Sequence, residues 1–407
     1  MLFTLVKNEL IKIFSRTKTW IVVCLFAIFV SGLAVINYKE AKNAEYSYSP
    51  QGQIEYLNRQ KEWNNERIKQ LKDSSESWAE EEINSLNMQN ENLDQSISKQ
   101  QKLIDNEDYT EVWKSTLKSE KEELQQVINE GNLSGISKEK CEERINEIDN
   151  FLEKGQKPVE SWEFDAVNFA GMLSQVLGMV ILVAGIAVFM SDIVSGESTP
   201  PTLKFLLVQP ITRGKVILSK FMAVVITVVG LIGGLELIGF GVVGAIAGFD
   251  GGKMPLKIGV RYAWDYSNLD YSGMPTLTQV SGSGIISTKG AALLQSFALQ
   301  ILFIVACCAF IFLISAIFKS SMTTMALSVI ISVASTISCM VSNSIGKMAH
   351  LLFLNYGATV NVITGDVVQN FNNPNFSIGL GVVLMCLNIV VSYILGHIIF
   401  SKKDILI

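Results

Sequence analysis

Side chains able to do chemistry are sparse in the apolar stretches of this 407-residue chain, and one of them stands apart. Glu236 lies in the middle of Gly230-Leu-Ile-Gly-Gly-Leu-Glu-Leu-Ile-Gly-Phe-Gly241, with no charge near it. A carboxylate placed where a membrane would surround it is costly, and it usually faces a cavity or a partner. The same run admits a second reading. Its glycines let a neighbouring helix approach closely, which would leave Glu236 hydrogen-bonded in a tight helix interface. Asn388 is a weaker polar candidate for the same pathway, and His397, near the end of its run, reads as a residue wetted by solvent. None of these builds a catalytic set. The chain has two histidines, no H-E-x-x-H and no paired carboxylates within apolar runs, so an intramembrane enzyme finds no support. Nor is there a phosphate-binding loop. Gly214-Lys215, Gly252-Lys253 and Gly346-Lys347 lack the spaced glycine and the following Ser or Thr that cradle phosphate and magnesium. The six cysteines show no metal-site spacing: Cys24, Cys307, Cys308, Cys339 and Cys386 fall in apolar runs and only Cys141 lies elsewhere. A glycosylation match at Asn132-Leu-Ser134 is too short to carry weight.

The elements that must hold these residues are membrane helices. With 49% hydrophobic and 17% charged residues and a mean hydropathy of +0.33, the chain is too apolar for a set of soluble domains. The excess is gathered at 19–37, 167–191, 219–248, 291–318, 322–342 and 376–400, runs near or above the roughly 20 apolar residues that cross a hydrocarbon core. The first is preceded by Lys7, Lys12, Arg16 and Lys18 but ends without a small-residue cleavage pattern, so it reads as a retained anchor. Lysine and arginine flank the cytoplasmic ends of membrane helices, and here they recur at Lys204, Arg213, Lys215 and Lys220, at Lys319, and at Lys402-Lys403. Six crossings with both termini (1–18 and 401–407) in the cytoplasm follow. Segments 38–166, 249–290 and 343–375 are then extracellular, and the fold expected is an all-α membrane protein.

The outer segments differ in character. Residues 38–163 carry 28 Asp and Glu against 17 Lys and Arg, so this region is acidic while the remainder is basic. That balance fits either a solvated acidic helix surface or a cationic partner. No proline occurs between Pro50 and Pro158, and apolar residues recur at three and four: Leu71, Trp78, Leu86, Leu93, Ile97, Ile104; Trp113, Leu117, Leu124, Ile128; Cys141, Ile145, Ile148, Leu152. Such narrow stripes predict a coiled-coil hairpin or small helical stalk, which would be either a spacer or a surface for an extracellular partner or substrate. Residues 249–290, with Tyr262, Trp264, Tyr266 and Tyr271 among Gly, Asp and Ser, read as irregular or short extended structure. Aromatics at the headgroup level explain that cluster better than a ligand cage does.

Two cytoplasmic signals remain. Phe3, Val6, Leu10, Ile13 and Phe14 share one helical face while Lys7, Asn8, Glu9, Lys12 and Arg16 fall elsewhere, predicting an amphipathic helix in the plane of the inner leaflet, with membrane lipid as its partner. In the segment 192–218, Pro201 can open a helix and Pro210 bars its continuation, leaving a short helix over about 201–208 whose Leu203, Phe205, Leu206 and Leu207 need a lipid interface or a protein groove. Around it stand Glu197, Thr202-Leu203-Lys204, Pro210-Ile-Thr-Arg213 and Ile217-Leu-Ser-Lys220. This pattern, the amphipathic start, the large segment after the first helix, the six runs and the closing stretch Phe400 to Ile405 together resemble the permease subunits of ABC-2 type transporters. Where the family usually has Gly before the Thr, this chain has Pro201.

The resemblance implies that residues about 197–213 form a coupling helix region seated in a groove of a separate ABC nucleotide-binding subunit. Glu197, Thr202, Leu203, Lys204, Phe205, Leu206, Leu207, Pro210 and Arg213 would make that contact. ATP and magnesium would sit on the partner subunit, with no cofactor on this chain, and a second permease copy would complete a homo- or heterodimer. The function expected is the membrane half of an exporter for a hydrophobic or amphipathic substrate such as an antimicrobial peptide, a lipid or a drug. The alternative is a membrane-anchored protein that grips an extracellular partner and transmits motion without transport. Nothing in the sequence suggests nucleic acid as a partner.

Overall fold

The structure, a computed structural model, describes residues 2–72, 78–105, 112–130, 138–193, 195, 212–269, 273–318 and 320–402. It is mostly helical and divides into two units, residues 36–164 and the rest.

In the larger unit, α1 (Leu2–Phe14) turns sharply into α2 (Thr17–Tyr48). The last carbonyls of a helix have no partner within it. Here Thr19 Oγ1 donates to the Ile13 carbonyl at 2.6 Å and Trp20 Nε1 to that of Phe14 at 2.9 Å, so the corner is closed by side chains from the following helix. After α7 (Ala166–Val176) comes a π turn (Leu177–Ile181), then α8 (Leu182–Met190), α9 (Arg213–Ala247), α10 (Lys289–Ile317), α11 (Ser321–Val341) and α12 (Ile378–Lys402). Among the described residues five helices are long and apolar enough to cross a membrane: α2, α9, α10, α11 and α12. The sixth apolar run, 167–191, is helical from Ala166 to Met190 but comes in three pieces. Its π turn inserts one residue and widens the helix. At that turn Gly178 meets Gly357 backbone to backbone; a Cβ on Gly178 would lie 2.1 Å from the Gly357 carbonyl oxygen, so no side chain fits.

Asp165 starts α7 by accepting the Val167 and Asn168 amides at 2.8 and 3.4 Å, and its other oxygen accepts Gly251 N at 3.2 Å. One buried carboxylate thus caps a helix and ties it to the turn after α9. Residues 249–290, read from sequence as irregular or extended, contain four strands: β1 (Pro255–Ile258), β2 (Tyr262–Leu269), β3 (Pro275–Gln279) and β4 (Ile285–Thr288). They form two antiparallel pairs, β1 with β4 and β2 with β3. Tyr262, expected among headgroup aromatics, donates its hydroxyl to Asp366 Oδ1 at 2.9 Å and accepts from Gln369. Tyr271 lies outside the described residues. The stretch 343–375 is no simple loop: it carries short helical turns, and Tyr356, Thr359, Val362 and Ile363 within it are buried.

α10 is the hub of this unit, with Phe303, Ala306, Cys307, Cys308, Ile311 and Phe312 fully buried. α11 turns a stripe of Thr324, Ser328, Ser332 and Thr336 inward, small residues at four-residue spacing that let helices approach closely.

In the unit 36–164, α3 (Pro50–Lys72) begins on Pro50, where a missing N–H costs nothing. It runs antiparallel to α4 (Trp78–Asp105), with Lys61 paired to Asp94 and Arg67 to Glu82. Ile68, Leu71, Ala79 and Leu86 form their core, and Asn64 donates to Asn90 at 2.9 Å within the seam, a polar pair that fixes register. Trp78, expected in the seam, is 47% exposed instead. α5 (Val112–Glu130) and α6 (Lys138–Lys154) pair likewise, through Lys121 with Asp149 and Arg144 with Glu120. Leu117, Cys141, Ile148 and Phe151 are buried there, Cys141 at 1% exposure.

Candidate functional site

Residues 197–211, where the coupling contacts Glu197, Thr202, Leu203, Lys204, Phe205, Leu206, Leu207 and Pro210 were expected, lie outside the described residues. Arg213 opens α9, its side chain likewise outside the description. What the structure describes is the two roots of this segment. At the first, Asp192 follows α8 and accepts from Arg16 at 3.1 Å and Lys18 at 2.9 Å, both from the corner between α1 and α2. Three residues on, Ser195 N donates to Ser315 Oγ at 3.2 Å, and Ser195 Oγ donates to Ser321 Oγ at 3.2 Å, so this root also touches the junction of α10 and α11.

At the second root, Lys220 in the second turn of α9 donates to Glu9 Oε1 of α1 at 2.9 Å. The Lys220 side chain is 1% exposed and that of Glu9 16%. An ion pair so withdrawn from water holds its geometry tightly, because separating it leaves an uncompensated charge. The Asp192 cluster is wetter, at 27 to 38% side-chain exposure, and is correspondingly weaker. Gly214 packs on the His397 ring of α12, a Cβ there falling 2.9 Å from His397 Cε1. His397 is therefore half-buried and packed, not simply wet. The first end of the segment is thus fastened to the corner between α1 and α2 and the second to α1, so a force applied to the segment is shared by α1, α2, α8 and α9.

Glu236 sits far from these roots. It is 9% exposed and accepts Gln300 Nε2 of α10 at 2.8 Å. One turn back on α10, Ser296 shares the Thr359 hydroxyl, at 2.8 Å, with Ser174 of α7 at 3.1 Å. Glu236, Gln300, Ser296 and Ser174 line a cavity of about 200 Å³ between α7, α9 and α10. The surrounding glycines only partly serve close packing: Gly239 lies against Val30 and Gly233 against Phe297, while nothing lies within 4 Å of a Cβ at Gly230, Gly234 or Gly241. Asn388 is not part of this set. Its amide donates to the Ala306 carbonyl at 2.9 Å and its oxygen accepts from Ser392, which joins α12 to α10.

A family model described as ABC-2 family transporter protein matches residues 3–405, nearly the whole chain. The chain belongs to the ABC-2 transporter family. No curated protein and no solved structure matches it. ABC-2 permeases are membrane subunits, generally without an ATPase of their own, and the family implies partnership with an ABC ATPase subunit. In this ABC-2 protein, sequence reasoning found Glu236 but missed Gln300, Ser296, Ser174 and Thr359, and it placed Lys220 in a motif without its partner Glu9. Gln300 and Ser296 had a signal, two polar residues four apart in an apolar run, and so on one helical face.

Proposed function

We propose that this ABC-2 permease is the membrane half of an exporter, driven by ATP and magnesium on a separate ABC nucleotide-binding subunit docked at residues 197–213. The anchoring of both roots of that segment on the N-terminal helical corner, Asp192 on Arg16 and Lys18 where α1 meets α2 and Lys220 on Glu9 of α1, carries the reading. A segment meant to pass motion needs connections at both ends, and of the two the Lys220–Glu9 pair is the one withdrawn from water. Six crossings, with α7, the π turn and α8 together making the second, put both termini in the cytoplasm and residues 38–166 outside. Two permease copies enclose a route for a hydrophobic or amphipathic substrate. Glu236 faces a cavity instead of solid protein, which favours transport over gripping an outer partner without transport.

The test is co-purification with a candidate ABC ATPase subunit, comparing wild type with Leu206→Asp and Arg213→Glu. Both substitutions should release the ATPase or abolish substrate-stimulated hydrolysis while the permease stays folded. Unchanged association and hydrolysis in both would remove the coupling assignment.

A further inference from the structure

We propose that the cavity at Glu236 binds a primary ammonium ion carried on a small apolar body. The argument begins with the acceptors. A carboxylate offers about four lone-pair sites, and among the described residues Gln300 Nε2 is the hydrogen-bond donor to Glu236. No lysine, arginine or histidine among them pairs with it. The Gln300 carbonyl oxygen is a further acceptor, and Ser296 and Ser174 add hydroxyls at the same wall. Acceptors therefore outnumber donors around a group whose charge is expensive to keep from water. An ammonium brings three N–H donors and the balancing charge in one group.

The remaining walls set the rest of the ligand. Phe240 and Phe297 present aromatic surface, and Leu237 and Leu294 form an apolar rim exposed on the outside of the helices. Aromatic faces favour a nearby cation, and the apolar rim gives such a molecule a path from the bilayer. A bare inorganic cation would find too few oxygens on these walls. Size limits the body: an apolar cavity of about 150 Å³ accepts benzene, so a cavity of about 200 Å³ admits a ring with a two-carbon amine tail. The molecule contains its own control. A second cavity, of about 280 Å³ between α2, α8 and α9, is lined by apolar residues throughout, among them Phe26, Phe29, Ile186 and Leu231. It has nothing with which to prefer a cation over a neutral molecule of the same shape.

That such an amine is also exported rests on the transport reading above; the site itself does not. The experiment is calorimetric titration of the full-length chain in lipid nanodiscs with 2-phenylethylammonium and with 2-phenylethanol, a neutral molecule of nearly the same shape. Wild type should bind the ammonium more tightly. Glu236→Gln, which keeps the shape and removes the charge, should weaken ammonium binding roughly tenfold to a hundredfold, the loss of one charged hydrogen bond, and leave the alcohol unchanged. Ala170→Leu, which fills the cavity from α7 without touching a polar group, should weaken both ligands there. Equal binding of the two ligands by wild type, or ammonium binding indifferent to Glu236→Gln, overturns the proposal. Should Glu236→Gln fail to fold, ammonium affinity unchanged by Ala170→Leu does so alone. Because no ATPase takes part, loss of the coupling result with this pattern intact removes the exporter reading and spares the site. The reverse outcome removes the site and spares the exporter.

Discussion

Lys220 and Glu236 are both withdrawn from water, and they are kept in opposite ways. Lys220 meets the Glu9 carboxylate at 2.9 Å, in a pair that joins α1 to α9. Among the described residues Glu236 meets an amide donor, Gln300, and it lines a cavity. Desolvation penalises both, but in the first case a fixed opposite charge offsets much of the penalty. In the second the fold leaves the penalty standing. A buried charge with its partner built in is a fastening; a buried charge lacking one is held ready for something that arrives from outside.

If that contrast is right, removing one member of the fastening has the largest effect. Glu9→Ala should destabilise the chain by about 3 to 5 kcal/mol, seen in thermal unfolding in detergent, and Glu9→Leu with Lys220→Met should recover most of the loss. Glu236→Leu should do the opposite, leaving stability unchanged or raising it by on the order of 1 kcal/mol, since it replaces a desolvated carboxylate by an apolar group of similar volume. A marked fall in melting temperature for Glu236→Leu would erase the distinction between the two sites. Asp192→Asn, in the wetter cluster with Arg16 and Lys18, should cost less than about 1 kcal/mol, and that cost should shrink as salt is raised. The smallest effect is expected at Tyr262, a milder case of the fastening. Burial, followed by its hydrogen bond to Asp366, pushes this phenol from its ordinary 10 up to about 12. The folded state therefore holds the proton that the unfolded chain gives up first, so this contribution is whole below pH 10 and disappears as pH rises through about 12. Tyrosinate absorbance followed against pH should lose one late-titrating group on Tyr262→Phe.

Apolar composition announces itself locally, and so the runs at 19–37, 219–248, 291–318, 322–342 and 376–400 could be read directly as long helices. The proline-free stretch between Pro50 and Pro158 was legible as helical for the same reason, since proline constrains its own backbone, and α3 begins on Pro50. What stayed hidden depends on partners distant in sequence. The run 167–191 gave no sign of its π turn, because the contact at Gly178 comes from Gly357. Residues 343–375 looked like a loop, since nothing in them reveals that Thr359 meets Ser174 and Ser296. Trp78 fell on the apolar period of its helix yet lies open, which periodicity cannot foresee at a helix end. Glu236 was legible because a lone charge in an apolar run is conspicuous. Lys220 with Glu9, 211 residues apart, was not, for each looked like an ordinary charge beside a membrane helix.

Cys141 turns the α5–α6 pair into its own reporter. It is the lone thiol of residues 36–164, buried against the packed faces of these two helices, while the other five cysteines belong to apolar runs. A membrane-impermeant maleimide can reach that sulfur only when the helices part. The labelling rate, divided by that of an unfolded control, then gives the opening equilibrium of one helix pair without any engineered label, and a ligand or protein that clasps the pair would register as a slower clock.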